Sequence, residues 1–394
     1  MVLPKISVVI PTRNRHYRLH ECIQSIVASD YLRDQLEIIV VDDGSTDETA
    51  SYLHQLIDAG LPIRALHLDG CGPATARNRG LAVSSGDLIA FTDDDCVVSR
   101  GWLCCLAESF ADTTVDGVGG RVCAANDHLI ARYMDFIRAL DPPLQSDGHA
   151  SYLVTANACF RRSALEHVGG FDETFLTAGG EDPELGVRMK KMGMTLLFVP
   201  GCRVDHWYAP SAVDFLRRYY RYGIGNRHIN ERHPTWPAWY PNADRQLRTW
   251  LSRGIKLREN GALTTAADRP WVYLLTLLQK VFCLAGYLHV TGEAQLLESE
   301  QRGDPIAGSV RQPELLSRVP CRSRTEAILE ALSTDRIDTS SAASSAQREA
   351  RDWLAQHFQQ ALSSGMMGPW MQAIHGALDF DFIFDLVVPG MPVT

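Results

Sequence analysis

The sequence predicts an α/β fold: a Rossmann-like, mostly parallel sheet flanked by helices, with a helical C-terminal extension. Three observations carry that expectation. Short runs rich in β-branched residues alternate with stretches whose apolar residues recur at helical spacing. The connections between them are short, as right-handed crossovers between parallel strands require. The run Leu88 to Leu103, LIAFTDDDCVVSRGWL, then passes from a mostly apolar strand straight into three carboxylates. That is the strand end at which open α/β sheets hold their ligands.

Taken in order, Ile6 to Ile10 is the first strand, closed by Pro11 and Thr12. Arg13 to Arg18 lead into a helix with Leu19, Cys22, Ile23 and Ile26 on one face. Leu36 to Val41 is a second buried strand, after which Thr46 or Asp47 is placed to cap a helix running through Ile57. Ile63 to Leu68 alternates as a third strand, and Pro73 opens a helix through Val83 at the first-turn position that proline favours. The strand before the triple aspartate follows, then a helix from near Gly101 and a strand at Val115 to Val122. Beyond it the regular alternation stops. Asp127 to Gly148 reads as a helix and a loop, Tyr152 to Phe160 as extended, and Ser163 to His167 as a helix. Asp182 and Pro183 form a cap and first-turn proline for a helix over Glu184 to Met192, and Thr195 to Val199 returns as a strand.

Composition narrows the function classes. With 394 residues, the chain has room for two or three domains. Its hydrophobic fraction of 45% and charged fraction of 22% are those of an ordinary globular protein. A net charge of -9 argues against a general nucleic-acid binder. The N-terminus has no charged segment followed by a long apolar core, so no leader is expected. The 10 cysteines lack metal-type spacing and read as reduced thiols of a cytoplasmic protein. Gly70-Cys71-Gly72-Pro73 resembles half of a dinucleotide fingerprint, but it lacks the third glycine and follows the third strand rather than the first.

Chemistry concentrates at two places. Asp93, Asp94 and Asp95 repel one another, and a divalent cation would relieve that repulsion while supplying charge to hold a phosphate. The plainer alternative is an acidic, solvated turn. Asp182 is either a helix cap alone or a general base held beside the pocket-shaping glycines Gly179 and Gly180.

These residues resemble the family 2 glycosyltransferases of the GT-A fold. The matching pieces are SVVIPTRNR, VVDDGSTDET, ARNRGLAVSSGDLIAFTDDDC, TANACFRRSALEHVGGFDETF and GGEDPELGVRMKKMG, in the family's order over roughly residues 5 to 230. The resemblance implies an inverting, metal-dependent transfer from a nucleotide sugar, with a UDP-sugar as donor. It places Pro11, Thr12 and Arg13 at the nucleotide and Asp43 at its base, with Arg77 near the diphosphate and ribose. Asp93, Asp94 and Asp95 form the DxD motif; Asp93 and Asp95 are its two ends at the donor and its Mn2+ or Mg2+, with Cys96 where many relatives carry another acid. Glu181 and Asp182 match the catalytic pair in which the aspartate deprotonates the acceptor. Asn157 lines the sugar pocket or is a buried structural amide, and His206 is a further metal ligand or a structural histidine. Arg218 and Arg221 have the spacing of a processive motif, but Tyr222 replaces its tryptophan, so one sugar per acceptor is expected.

The expected domains are a catalytic domain over 1–225, with its nucleotide-sugar half at about 1–122 and its acceptor half at 123–225, then a basic, aromatic helical extension over 226–300 and a C-terminal helical region over 301–394. Arg217, Arg227 and Arg248, interleaved with Tyr219, Trp239 and Trp250, suit a phosphate-bearing acceptor, a membrane surface or a solvated helix face. Pro270 to Val290 reads as a buried or interfacial helix rather than a span, because Gln279 and Lys280 lie at its centre. The acceptor stays open among glycan, lipid-linked, peptide and small-molecule classes. Peripheral contact with the cytoplasmic membrane face and a homo-oligomer through the C-terminal region also stay open. Two other functions compete: a non-catalytic glycan or nucleotide-sugar binder, and a sugar nucleotidyltransferase, for which PTRNRHYR lacks the glycine-rich loop.

Overall fold

A computed structural model describes residues 3–234 and, beyond them, helical residues 275–276, 278–280, 282–283 and 286–287. The first half follows the predicted alternation: β1 (Ile6–Thr12), α1 (His16–Val27), β2 (Leu36–Asp43), α2 (Thr49–Asp58), β3 (Ile63–Leu68), α3 (Pro73–Val83) and β4 (Leu88–Phe91). The second half holds β5 (Cys96–Val98), α4 (Trp102–Ser109), β6 (Val115–Ala124), α5 (Leu129–Phe136), β7 (Ala158–Arg161), α6 (Arg162–Val168), α7 (Glu181–Lys191), β8 (Thr195–His206) and α8 (Ala212–Arg232). A short 3-10 turn, Thr155–Asn157, precedes β7.

The strands form one eight-stranded sheet in the order β3-β2-β1-β4-β7-β6-β8-β5. Strands β3, β2, β1 and β4 are parallel, as the short crossovers require. Strand β7 runs antiparallel to both β4 and β6, whereas β6 and β8 are parallel. Three residues of β5 pair antiparallel with the end of β8, placing Cys96 opposite His206. Parallel strands covered on both faces must be apolar throughout, and β1 accordingly buries Ile6, Val8, Val9 and Ile10 completely. Val9, Ile39, Ile89, Phe91, Phe160 and Leu165 lie in one continuous core.

Helix starts differ from the sequence reading at two places. Glu48 rather than Thr46 or Asp47 precedes the first turn of α2, although the Asp47 carboxylate accepts the Thr49 N–H at 3.0 Å. Helix α7 begins at Glu181 behind Gly180, so Asp182 lies within the first turn and is not its cap. The cysteine reading also needs correction: Cys105 of α4 and Cys202 of β8 are joined as a disulfide across 97 residues. Local spacing carries no trace of that pair.

Contacts divide the chain into two compact units, Met1–Pro210 with His228–Trp236, and Ser211–Arg227 with Pro237–Thr394. The breaks fall after Pro210, ahead of α8, and after Arg227, within it; the expected boundary at residue 225 also lies within that helix. Within the second unit, Gly223 approaches the Cys283 carbonyl so closely that a Cβ would overlap it. Leu275, Phe282, Cys283 and Tyr287 are buried, in keeping with a buried helix there. Apart from these fragments, the expected regions 235–300 and 301–394 lie outside the described residues. No helix among the described residues is long and apolar enough to cross a membrane.

Candidate active site

The acidic turn sits where the parallel half of the sheet ends. Strands β1 and β4 pair with Val9 opposite Phe91, so three residues further on Thr12 meets Asp94, and its hydroxyl donates to Oδ2 at 2.7 Å. Asp95 follows one step later, immediately before β5. Because β5 pairs with the end of β8, the Asp95 carboxylate and the His206 ring come together, Oδ1 to Nε2 at 3.2 Å. Candidate ligand atoms of Asp95, Cys96 and His206 all lie within 4.8 Å of one another, and all three residues are buried.

Those residues fit a divalent cation. A carboxylate oxygen and an imidazole nitrogen are the donors that Mn2+ accepts. Burial and the neighbouring carboxylates push the Cys96 thiol well above its ordinary pKa, and its soft sulfur is the donor of the three least suited to Mn2+. Burial and the Asp95 carboxylate likewise raise Asp94 to about 7, and a nearby cation would reverse that shift. Arg15 meanwhile partly balances the cluster. One guanidinium nitrogen lies 3.1 Å from Asp94 and 2.6 Å from Asp95. The sequence reading missed Arg15, since nothing in PTRNR distinguishes it from Arg13. Arg13 itself is exposed, with its guanidinium beside Gly70, and Pro11 lies partly buried in β1.

The buried Arg77 of α3 ties the two motifs together. It donates to Asp93 Oδ1 and to Glu181 Oε1, each at 3.0 Å. In this structure it bridges two carboxylates. Its Nε is buried with no hydrogen-bond partner. Glu181 is equally committed: Oε2 accepts the backbone N–H groups of Gly179 and Gly180 at 2.8 and 2.9 Å. In this structure both of its oxygens are engaged at the mouth of α7.

Asp182 differs from its neighbour. Its Oδ2 accepts from the N–H and the hydroxyl of Thr155, at 3.0 and 3.1 Å. Its Oδ1 is buried without a hydrogen-bond partner. Burial, then the Glu181 charge, push this carboxyl up to about 7, against the opposing pull of Arg77. A carboxylate with one oxygen anchored, the other bare and a pKa near neutrality is suited to accept a proton.

Asn157 takes the structural alternative, and Asp43 has a role in the loop before α3. Asn157 does not line a pocket: its Oδ1 accepts from Trp102 Nε1 at 2.9 Å, and its Nδ2 donates to the carbonyls of Arg121 and Cys202 at 2.9 and 2.7 Å. An amide satisfied this fully is structural. Asp43, expected at the base, accepts the N–H groups of Cys71 and Gly72 at 2.7 and 2.9 Å and so anchors the loop leading into α3. Gly72 adopts φ +91°, and a Cβ there would lie 2.6 Å from the Leu176 carbonyl oxygen, so the loop requires glycine.

Residues 7–169 match the family model of glycosyl transferase family 2, and residues 137–210 match that of the N-terminal domain of galactosyltransferase. The pre-mycofactocin glycosyltransferase of Mycobacterium tuberculosis is 33% identical over 258 residues, 64% of this chain and 53% of that protein. The chain thus spans about half the length of that relative. Glycosyltransferase AglE of Haloferax volcanii is 30% identical over 267 residues, 66% of this chain and 79% of the relative. Among solved structures, a mannosyltransferase of Pyrobaculum calidifontis in complex with GDP-Man and Mn2+ aligns with a TM-score of 0.46 at 19% identity, covering 92% of this chain and 88% of that one.

Proposed function

Because the chain belongs to glycosyltransferase family 2, we propose that it moves one sugar from a nucleotide sugar, a UDP-sugar, to an acceptor hydroxyl with inversion at the anomeric carbon. The single observation carrying this reading is the Arg77 bridge. It joins the acidic turn at Asp93 to the mouth of α7 at Glu181, so the motif suited to a metal and phosphate and the carboxylate suited to a proton belong to one cluster. In this reading Asp182 takes the acceptor proton on Oδ1, and the alkoxide so generated attacks from the face opposite the departing nucleotide. Asp95 and His206 would hold Mn2+ or Mg2+, which when bound stabilises the charge developing on the departing diphosphate. Asp93 keeps Arg77 close to the same region and adds negative potential toward the cation.

Thermal unfolding in the presence of UDP-sugars and GDP-sugars, each with and without Mn2+, tests the donor assignment. The expected outcome is a rise in Tm with a UDP-sugar that needs Mn2+. At a ligand concentration 100 times Kd the stabilisation is about 2.7 kcal/mol. A rise with no UDP-sugar, or one indifferent to Mn2+, would overturn it.

A further inference from the structure

Asp182 is held by one short turn in which every residue is committed. Thr155 gives Asp182 Oδ2 two donors, its N–H at 3.0 Å and its hydroxyl at 3.1 Å. The Ala156 carbonyl accepts from the hydroxyl of Thr92, the residue just before the acidic turn, at 3.0 Å. Asn157 is locked by Trp102 Nε1 and by the carbonyls of Arg121 and Cys202. The turn therefore cannot slide without breaking contacts on both sides. Thr155, Ala156 and Asn157 are all buried.

We propose that Thr155 is the positioning residue of Asp182: by placing two donors on Oδ2, it fixes the carboxyl rotation and presents Oδ1 as the oxygen that takes the proton. The Thr92–Ala156 bond then references that oxygen to the strand end carrying Asp93 and Asp95, so base and acidic turn share one scaffold. This proposal rests on reading Asp182 as the base. The charged groups acting on Asp182 are Glu181 from its own helix, Arg77 from α3 and Asp93 from the turn after β4. None of them donates to Oδ2. The Thr155 hydroxyl is thus a separable contribution, and its loss disfavours the ionised carboxylate.

The variants Thr155→Ser and Thr155→Ala differ by the hydroxyl alone, and Thr155→Val removes it while keeping the shape. In each, the full chain is titrated by infrared spectroscopy, following the protonated-carboxyl band that Asp182→Asn abolishes. We expect Thr155→Ser to keep the wild-type midpoint. Thr155→Ala and Thr155→Val should shift it upward by about one to two pH units, the effect of losing one hydrogen bond to a charged group. Equal midpoints in Thr155→Ser, Thr155→Ala and Thr155→Val would overturn the proposal. The base reading is decided separately: normal turnover by Asp182→Asn would end it, even if the Thr155 variants shift the band as expected.

Discussion

At the scale of single residues, the site is an arrangement of carboxylates with different partners. Asp93 and Glu181 share one guanidinium, Asp94 and Asp95 share Arg15, the Thr12 hydroxyl donates to Asp94, and Asp95 lies against His206. Asp182 keeps one oxygen, Oδ1, buried without a hydrogen-bond partner. Removing a cation from such a set exposes repulsion that it had hidden. Arg77→Gln should therefore destabilise the protein by about 3–5 kcal/mol, the usual cost of breaking a buried pair by deleting one partner. Denaturant unfolding measures this, and a loss below about 1 kcal/mol would show that the bridge is dispensable. The acidic motif and the ED pair were legible in the sequence because each is contiguous and follows a recognisable element. Arg15 and Thr155 were not, since their importance comes from partners 79 and 27 residues away.

At the scale of elements, strands with their own apolar signature and helices with a proline or glycine start were readable, and α3 begins and ends where the sequence placed it. Strand β5 was not anticipated. Three residues cannot display a periodicity, and its partner β8 lies more than a hundred positions away. Yet this strand creates the Asp95–His206 juxtaposition. The turn before β7 was equally opaque: an asparagine after Thr-Ala suits a ligand pocket as well as a scaffold, and only the fold supplies Trp102 and two carbonyls. Asn157→Ala should cost about 2–4 kcal/mol, since two carbonyls and an indole N–H lose their partner in the interior. It should lower turnover by loosening the turn that holds Asp182. Unfolding and turnover measured on the same sample check both parts, and a stable, fully active variant would refute the scaffold role.

At the scale of the whole molecule, the buried acids make stability depend on pH. Asp94 and Asp182 hold their protons up to about pH 7, against an ordinary value of 3.8. Between those values the folded state binds more protons than the unfolded state, so stability falls as pH rises through that window. Asp47 works in the opposite sense at lower pH: hydrogen bonds from Thr49 outweigh its desolvation and hold it down to about 2, so its contribution is lost as pH falls from 3.8 toward 2. Chemical denaturation between pH 4 and pH 8 should show the decline, and Mn2+ should reduce it by favouring ionised Asp94. A flat or rising profile across that window, with no effect of Mn2+, would contradict the charge distribution described above.

The proposed reaction divides labour within the site: the Asp95 side binds and Asp182 performs proton transfer. Calorimetric titration of UDP in the presence of Mn2+, paired with turnover of the donor sugar, tests it on wild type, Asp95→Ala and Asp182→Asn. Asp95→Ala should lose Mn2+-dependent binding, while Asp182→Asn should bind as wild type but turn over about 10²–10⁴-fold more slowly, the range for loss of a general base. Normal turnover by Asp182→Asn, or unchanged Mn2+-dependent binding by Asp95→Ala, would contradict it.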